Sequence, residues 1–196
     1  MAAMPSSLSR TTIAISAGRP APTPDGPLSE PITLASTFHA GGPNGYARDG
    51  HPGWAAFEEA IGTLDDGHAV AFSTGMAACS AVLDQQPVGA TVVAPHEVYM
   101  GVRQLLEEAQ AGGHMDVRWV DITDTAATLA ATAGADVLWL EIPLNPLLSM
   151  ADLPALIAPD GGSAVAGALE TARSSRVSNR WRDPPRRCRR EFLPGD

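Results

Sequence analysis

The amino-acid sequence predicts an α/β fold with a mainly parallel sheet and crossover helices. Three observations carry that expectation. Short apolar runs of about four residues recur between positions 69 and 140, stretches of helical character about ten residues long separate them, and Gly, Pro, Asp and Asn fall at the joints. Strands alternating with such helices assemble as βαβ units, whose crossovers are right-handed. A length of 196 residues suits one domain, and 44% hydrophobic residues fit a soluble globular chain.

The elements follow in order. Residues 1–45 are rich in Pro, Ser, Thr and Gly, with short apolar patches at 13–15 and 32–38, and read as an extended arm. A helix is expected from Pro52, a residue suited to a first helical turn. Trp54, Phe57, Ile61 and Leu64 recur along one face of it, Glu58, Glu59 and Asp65 turn away, and Gly67 is expected to close it with a positive φ. Residues 69–72 read as a strand, Ser73-Thr74-Gly75 as a turn and 76–83 as an Ala-rich helix. A strand at 91–94 precedes a helix over 98–110 whose apolar side holds Val102, Leu105, Leu106 and Ala109. A third strand, 117–120, leads to a helix over 125–133 capped by Thr123 or Asp124. The fourth, 137–140, gives way to a loop fixed by Pro143 and Pro146. No internal repeat of solenoid period is present.

Charge divides the chain. Residues 1–158 hold 5 Arg against 17 acids, whereas residues 159–196 hold 8 Arg against 5 acids, in a tail containing Trp181-Arg182-Asp183-Pro184-Pro185-Arg186-Arg187-Cys188-Arg189-Arg190. That composition is a poor recipe for a buried element. All 13 basic residues are arginine, and there is no lysine. Cys79 and Cys188 form no disulfide framework and no metal spacing, and the five histidines are scattered, which argues against a zinc site. No apolar run suits a membrane span or a signal peptide, so a cytoplasmic location is the expectation.

Ligands of open α/β sheets bind beyond the carboxyl ends of the strands. Ser73-Thr74-Gly75-Met76 lies at such an end, where free backbone N–H groups suit a phosphate, although Gly turns of this kind more often only reverse the chain. Tyr99 offers a ring for stacking on a planar group, or a core aromatic. Asn145, within Glu141-Ile142-Pro143-Leu144-Asn145-Pro146, offers its amide to a ligand or to its own turn. Asp121 reads equally as a surface acid. Tyr46-Ala47-Arg48 in the arm pairs a phenol with a guanidinium suited to phosphate, or forms a solvated loop.

Taken together, the order and spacing of these segments resemble the Cys/Met-metabolism, or trans-sulfuration, family of pyridoxal phosphate enzymes, which includes cystathionine γ-synthases and cystathionine lyases. Tyr46-Ala47-Arg48-Asp49-Gly50-His51-Pro52 resembles its Tyr-x-Arg-x-Gly-Asn-Pro segment, and Phe72-Ser73-Thr74-Gly75-Met76-Ala77-Ala78 its Ser-Ser-Gly-Met-Ala phosphate cup. Tyr99-Met100-Gly101 matches Tyr-Gly-Gly, and residues 141–146 resemble Glu-x-Pro-x-Asn-Pro. In the arm, Pro31-Ile32-Thr33-Leu34-Ala35-Ser36-Thr37-Phe38 resembles Pro-Ile-x-x-Ser-Thr-x-Phe. His51 for Asn, Gly53 for Thr, Met100 for Gly and Leu144 for Thr depart from the pattern.

The resemblance implies a partial large domain of the aspartate-aminotransferase-like fold type I over residues 46–158, preceded by an arm over 1–45. It implies that Ser73, Gly75 and Met76 hold the cofactor phosphate, that Tyr46 and Arg48 reach the phosphate of a neighbouring subunit in a homo-oligomer, that Tyr99 stacks on the pyridine ring as the catalytic-site aromatic, and that Asn145 lies near the ring's 3-oxygen. The substrates so implied are small sulfur amino acids undergoing β- or γ-elimination or replacement. Beyond Ala158 the resemblance stops: a strand ending in the Asp that pairs with the pyridine nitrogen, and a Ser-x-Thr-Lys segment, do not appear. The tail over 159–196 reads as disordered or as a shifted reading frame, with a genuine alternative terminus also open. With no strand to follow, residues 137–140 or a neighbouring strand are expected to present an unpaired edge. Without the lysine that binds the cofactor covalently and shuttles the proton, this chain is expected to be inactive alone. The alternative is a non-catalytic binding or regulatory fragment acting through its acidic half or basic tail. Nucleic acid is a poor partner for that tail, since little aromatic character accompanies its charge.

Overall fold

The computed structural model describes residues 8–42, 44–65, 67–157 and 164–167. They fall into two compact units, residues 1–78 and 79–196. The tail from 168 onward, with Asp183 and Cys188, lies outside the described residues.

In the first unit the arm is not wholly extended. Helix α1 (Arg10–Ser16) forms because Ser9 caps it, its Oγ accepting from the Thr12 N–H at 3.2 Å. Gly18 then turns the chain with φ of +70° and lies so close to helix α2 (Pro52–Leu64) that a Cβ would run into the Ala56 carbonyl. The Arg10 guanidinium adds a bond to the Leu64 carbonyl at 2.8 Å.

Helix α2 begins at the expected proline, but its faces are used differently from the expectation. Trp54, Phe57 and Ile61 remain 39%, 57% and 37% exposed, while its small residues Ala56 and Ala60 meet Gly18. Glu58 does not turn away: its Oε1 accepts from the Ala71 N–H at 2.7 Å. Gly67 has no positive φ, and its N–H instead donates to Gly62 O at 2.8 Å. The strand expected at 69–72 is corrected too. These residues pair with no strand among the described residues, because Ala71 spends its N–H on Glu58 rather than on a ladder, and Val70 is 68% exposed.

Helix α3 (Gly75–Asp84) follows, with Cys79 and Leu83 buried. The second unit is then built on a four-stranded parallel sheet in the order β2-β1-β3-β4, with β1 at Ala90–Pro95, β2 at Met115–Val120, β3 at Val137–Leu140 and β4 at Ala164–Gly167. Three of these strands fall where the apolar runs predict them. The fourth, at residues 164–167, was not foreseen and pairs along the whole of β3. β3 is therefore an interior strand, and among the described residues the sheet edges are β2 and β4.

Between β1 and β2 runs helix α4 (Met100–Ala111); between β2 and β3 runs α5 (Thr125–Ala131); between β3 and β4 lies the short α6 (Leu153–Leu156). The step from β1 to β2 moves one way along the sheet, and the steps from β2 to β3 and from β3 to β4 move the other way. Right-handed crossovers then place α4 on one face and α5 with α6 on the opposite face. The packing agrees. Val93, Val120, Leu138 and Leu140 gather in one cluster with Ile122, Leu144 and Leu156, to which Ala131 of α5 and Leu153 of α6 add. By the alternation of the pleat, Val92, Val137 and Trp139 face the other way, toward the side where α4 buries Val102 and Leu106 completely. Asp124 caps α5 by accepting from the Ala127 N–H at 2.9 Å, and Arg118 of β2 closes its other end on the Ala131 and Ala133 carbonyls, both at 2.9 Å.

Replacing Gly18 by Ala should destabilise the first unit by about 2 kcal/mol or more, combining a left-handed backbone with a clash against the backbone of α2. Thermal unfolding followed by circular dichroism should show a lowered Tm; an unchanged Tm would show that this approach of α1 to α2 contributes nothing.

Candidate functional site

β1 and β3 are hydrogen-bonded neighbours whose chains leave for opposite faces of the sheet, so their carboxyl ends mark the point where the strand order reverses, the place where open α/β sheets take ligands. Tyr99 stands after β1 and residues 141–150 stand after β3. The structure joins the two segments directly. Tyr99 is the N-cap residue of α4, and its N–H donates to Glu141 Oε2 at 2.8 Å. Tyr99 is 53% exposed, so it is not a core aromatic. Asn145 is exposed in the loop after β3, and that loop is closed by Leu144 N–H to Ser149 O at 3.0 Å and Leu148 N–H to Leu144 O at 2.7 Å. Leu144, one of the departures from the family pattern, is fully buried in the core cluster and so anchors the loop from below.

Arg103, one turn into α4, fixes the same region. It bonds the His96 carbonyl, pairs with Glu107 at 2.8 Å and lies 4.9 Å over the Trp119 ring. Asp121, beyond β2, proves to be a turn-forming surface acid. Its Oδ1 accepts from the Thr123 hydroxyl at 2.7 Å and the Thr123 N–H at 2.9 Å, and these bonds hold its carboxyl below the usual value, with His96 adding a smaller effect. Such a depressed carboxyl contributes its stability above the unfolded pKa and loses it as pH falls through the folded one.

In the first unit, residues 73–76 form the entry to α3. Thr74 caps the helix, its Oγ1 accepting from the Ala77 N–H at 3.1 Å. Among the described residues no acceptor meets the Gly75 and Met76 N–H groups, and a Cβ at Gly75 would find nothing within 4 Å. The result is a pair of unengaged donors at the positive end of a ten-residue helix, with room in front of them. Tyr46 and Arg48 come together, the guanidinium lying 4.9 Å over the phenol ring. Tyr46 also bridges antiparallel to Thr37, and its carbonyl accepts from Asp49 at 2.8 Å and Gly50 at 3.1 Å, so the pair sits in a formed turn.

Two side chains carry more than the sequence revealed. His51 caps α2, its Nδ1 accepting from the Gly53 N–H at 3.0 Å while its Nε2 donates to Thr33 O at 3.1 Å. It stands where the resembled pattern has Asn, and supplies the same kind of acceptor. Glu141 was visible only as one letter of a motif. Among the described residues no three His, Cys, Asp or Glu gather as a metal site, and no helix is long and apolar enough to cross a membrane.

His51→Ala should cost about 1 kcal/mol of stability through loss of the cap, and His51→Asn should recover most of it; equal loss in both variants, measured by denaturant unfolding, would assign the effect to the ring contacts with Phe38 and Trp54 instead. For Asp121, Thr123→Ala should carry the carboxyl back up toward the usual range in an NMR titration, and an unmoved midpoint would remove the hydroxyl as the cause.

Residues 11–160 match the Cys/Met metabolism PLP-dependent enzyme family. The chain is 38% identical over 156 residues to the cystathionine gamma-synthase of Mycobacterium leprae, an alignment covering 74% of this chain and 40% of that protein. It is 31% identical over 132 residues to the cystathionine gamma-lyase of Rattus norvegicus, covering 64% of this chain and 33% of that protein. Among solved structures, the cystathionine gamma synthase of Xanthomonas oryzae pv. oryzae in complex with aminoacrylate and cysteine superposes with a TM-score of 0.67 at 31% identity, over 82% of this chain and 44% of that one. The gamma lyase CalE6 of Micromonospora echinospora gives a TM-score of 0.69 at 28% identity, over 82% and 44%. The chain thus spans about two fifths of the curated relatives it matches. On these matches and on the parallel α/β sheet, this chain belongs to the Cys/Met-metabolism family of pyridoxal phosphate-dependent enzymes.

Proposed function

We propose, on the family match, that the first unit supplies a phosphate-holding turn and the second a ring-stacking surface of the kind trans-sulfuration enzymes use, and that alone the chain does not carry out β- or γ-elimination or replacement on sulfur amino acids. The observation that carries this reading is the absence of lysine from these 196 residues, which hold the family's other motifs in sequence. Pyridoxal phosphate, when bound, withdraws electrons from the α-carbon of an amino acid and so eases bond breaking there.

The residues present fit part of that group. The Gly75 and Met76 N–H groups, beside Ser73, suit the phosphate, since they are donors at a helix N-terminus with no acceptor among the described residues. The exposed Tyr99 ring suits a face of the pyridine, and the Asn145 amide suits an oxygen on its rim. Tyr46 and Arg48, already paired, would serve the phosphate held by a second copy of the chain, making the site a homo-oligomer's. The covalent part has no candidate among these residues, because a guanidinium neither forms a stable imine with an aldehyde nor readily gives up a proton. The chain can therefore bind and orient, but it holds no amine to take the α-proton. In this division residues 1–45 form the arm and 46–158 the incomplete cofactor domain, working in the cytoplasm on amino-acid ligands.

Two measurements test the reading. Treatment with pyridoxal phosphate and borohydride should leave no label on any internal residue by peptide mass spectrometry; specific internal labelling would overturn the proposed inactivity. Titration with 4′-deoxypyridoxine 5′-phosphate, which keeps ring and phosphate but has no aldehyde, should saturate, and Tyr99→Ala should weaken it roughly fivefold, the equivalent of about 1 kcal/mol of stacking. Failure of the unaltered chain to bind this probe would remove the cofactor-holding reading.

A further inference from the structure

Tyr99 occupies the N-cap position of α4 without supplying a side-chain cap. The negative group at that helix end comes from 42 residues away, where Glu141 follows β3. Its two carboxylate oxygens have separate duties. Oε2 accepts from the Tyr99 N–H at 2.8 Å, and Oε1 accepts from the Trp139 indole N–H at 3.1 Å. Trp139 is only 1% exposed, so its indole N–H must find an acceptor inside the protein. The carboxylate cannot rotate without forfeiting one partner, and its charge is favoured by the positive end of α4. On its other side Tyr99 is held by its carbonyl, which accepts from the Arg103 N–H at 2.9 Å.

We propose that Glu141 is the positioning residue of this site: by clamping the Tyr99 backbone to the buried Trp139 it sets the distance between the Tyr99 ring and the loop carrying Asn145, across the carboxyl ends of β1 and β3. The role rests on the reading of Tyr99 as a stacking surface for the ring. Both donors need an acceptor, which makes the demand on residue 141 specific. A glutamine offers one oxygen and one NH₂ group; the buried Trp139 indole claims the oxygen, which leaves the more exposed Tyr99 N–H facing the NH₂. An aspartate is one methylene shorter and cannot span them.

The test compares Glu141→Gln and Trp139→Phe with the unaltered chain. NMR should show exchange of the Tyr99 amide accelerated about tenfold or more in Glu141→Gln, as expected for loss of a bond to a charged acceptor. It should remain slow in Trp139→Phe, where the carboxylate still holds Tyr99. Affinity for 4′-deoxypyridoxine 5′-phosphate should fall in Glu141→Gln while affinity for inorganic phosphate stays the same, a split that general loosening of the fold would not produce. If Glu141→Gln does not fold, Glu141→Ala combined with Trp139→Phe takes its place in both measurements, since it leaves no buried indole unmatched and offers the Tyr99 N–H no oxygen. Unchanged Tyr99 exchange, or unchanged affinity for the ring-bearing probe in a chain that binds it, would overturn the role of Glu141 alone. Failure of the unaltered chain to bind the probe would overturn the stacking reading, and the positioning role with it.

Discussion

The pairing of β1 with β3 is the contact on which the second unit depends. Parallel strands are buried on both faces, and here Val92, Val93 and Ala94 of β1 are fully enclosed while β3 is apolar at every position. Because these two strands lie side by side yet send their chains to opposite faces, the pairing decides at once where α4 goes, where α5 and α6 go, and where the strand order reverses. Asp136 secures its start, its Oδ2 accepting from the Thr91 N–H and its own N–H donating to the Thr91 carbonyl, both at 2.9 Å. Glu141 secures its end. Two carboxylates thus tie the same neighbouring strands at opposite ends, one serving register and the other the site.

Much of this was legible in the sequence, for reasons that differ by element. Runs such as Val137-Leu138-Trp139-Leu140 are too short for a helix and too apolar for a surface, which leaves a buried strand. Pro52 and Asp124 announce helix starts because the chemistry of a first turn is local. What escaped was relational. Residues 69–72 have the composition of a strand, but a strand exists only beside another, and here the Ala71 N–H goes to Glu58. Periodicity showed which residues of α2 share a face without showing whether anything covers it. The β4 segment, Ala-Val-Ala-Gly, was hidden by the basic, Pro-rich composition that follows it. In α1, Thr11, Thr12, Ile13 and Ile15 argue against a helix by their branching, and the Ser9 cap outweighs them.

The site divides along the same line. Tyr46 and Arg48 are near neighbours in sequence, so their contact needed no fold to suggest it, and that the N–H groups of Gly75 and Met76 lack intrahelical acceptors follows from their being the first residues of a helix. Glu141 could not be found in that way, since nothing at position 141 reports a partner at position 99. His51 shows the converse. The imidazole differs in size from the amide of the resembled pattern, yet one ring nitrogen serves α2 and the other the Thr33 carbonyl of the arm, so a change of residue type keeps the cap and adds a tie.

Four arginines of this structure, Arg10 on the end of α2, Arg48 over Tyr46, Arg103 over Trp119 and Arg118 on the end of α5, use the guanidinium as a planar fork that can stack and bond together. The consequence reaches into how a cell can handle the polypeptide. Acetylation, methylation and ubiquitin conjugation on ε-amines have no acceptor anywhere in these 196 residues. Within this stretch, chemical adjustment must come through hydroxyls, thiols, carboxylates or the arginines themselves.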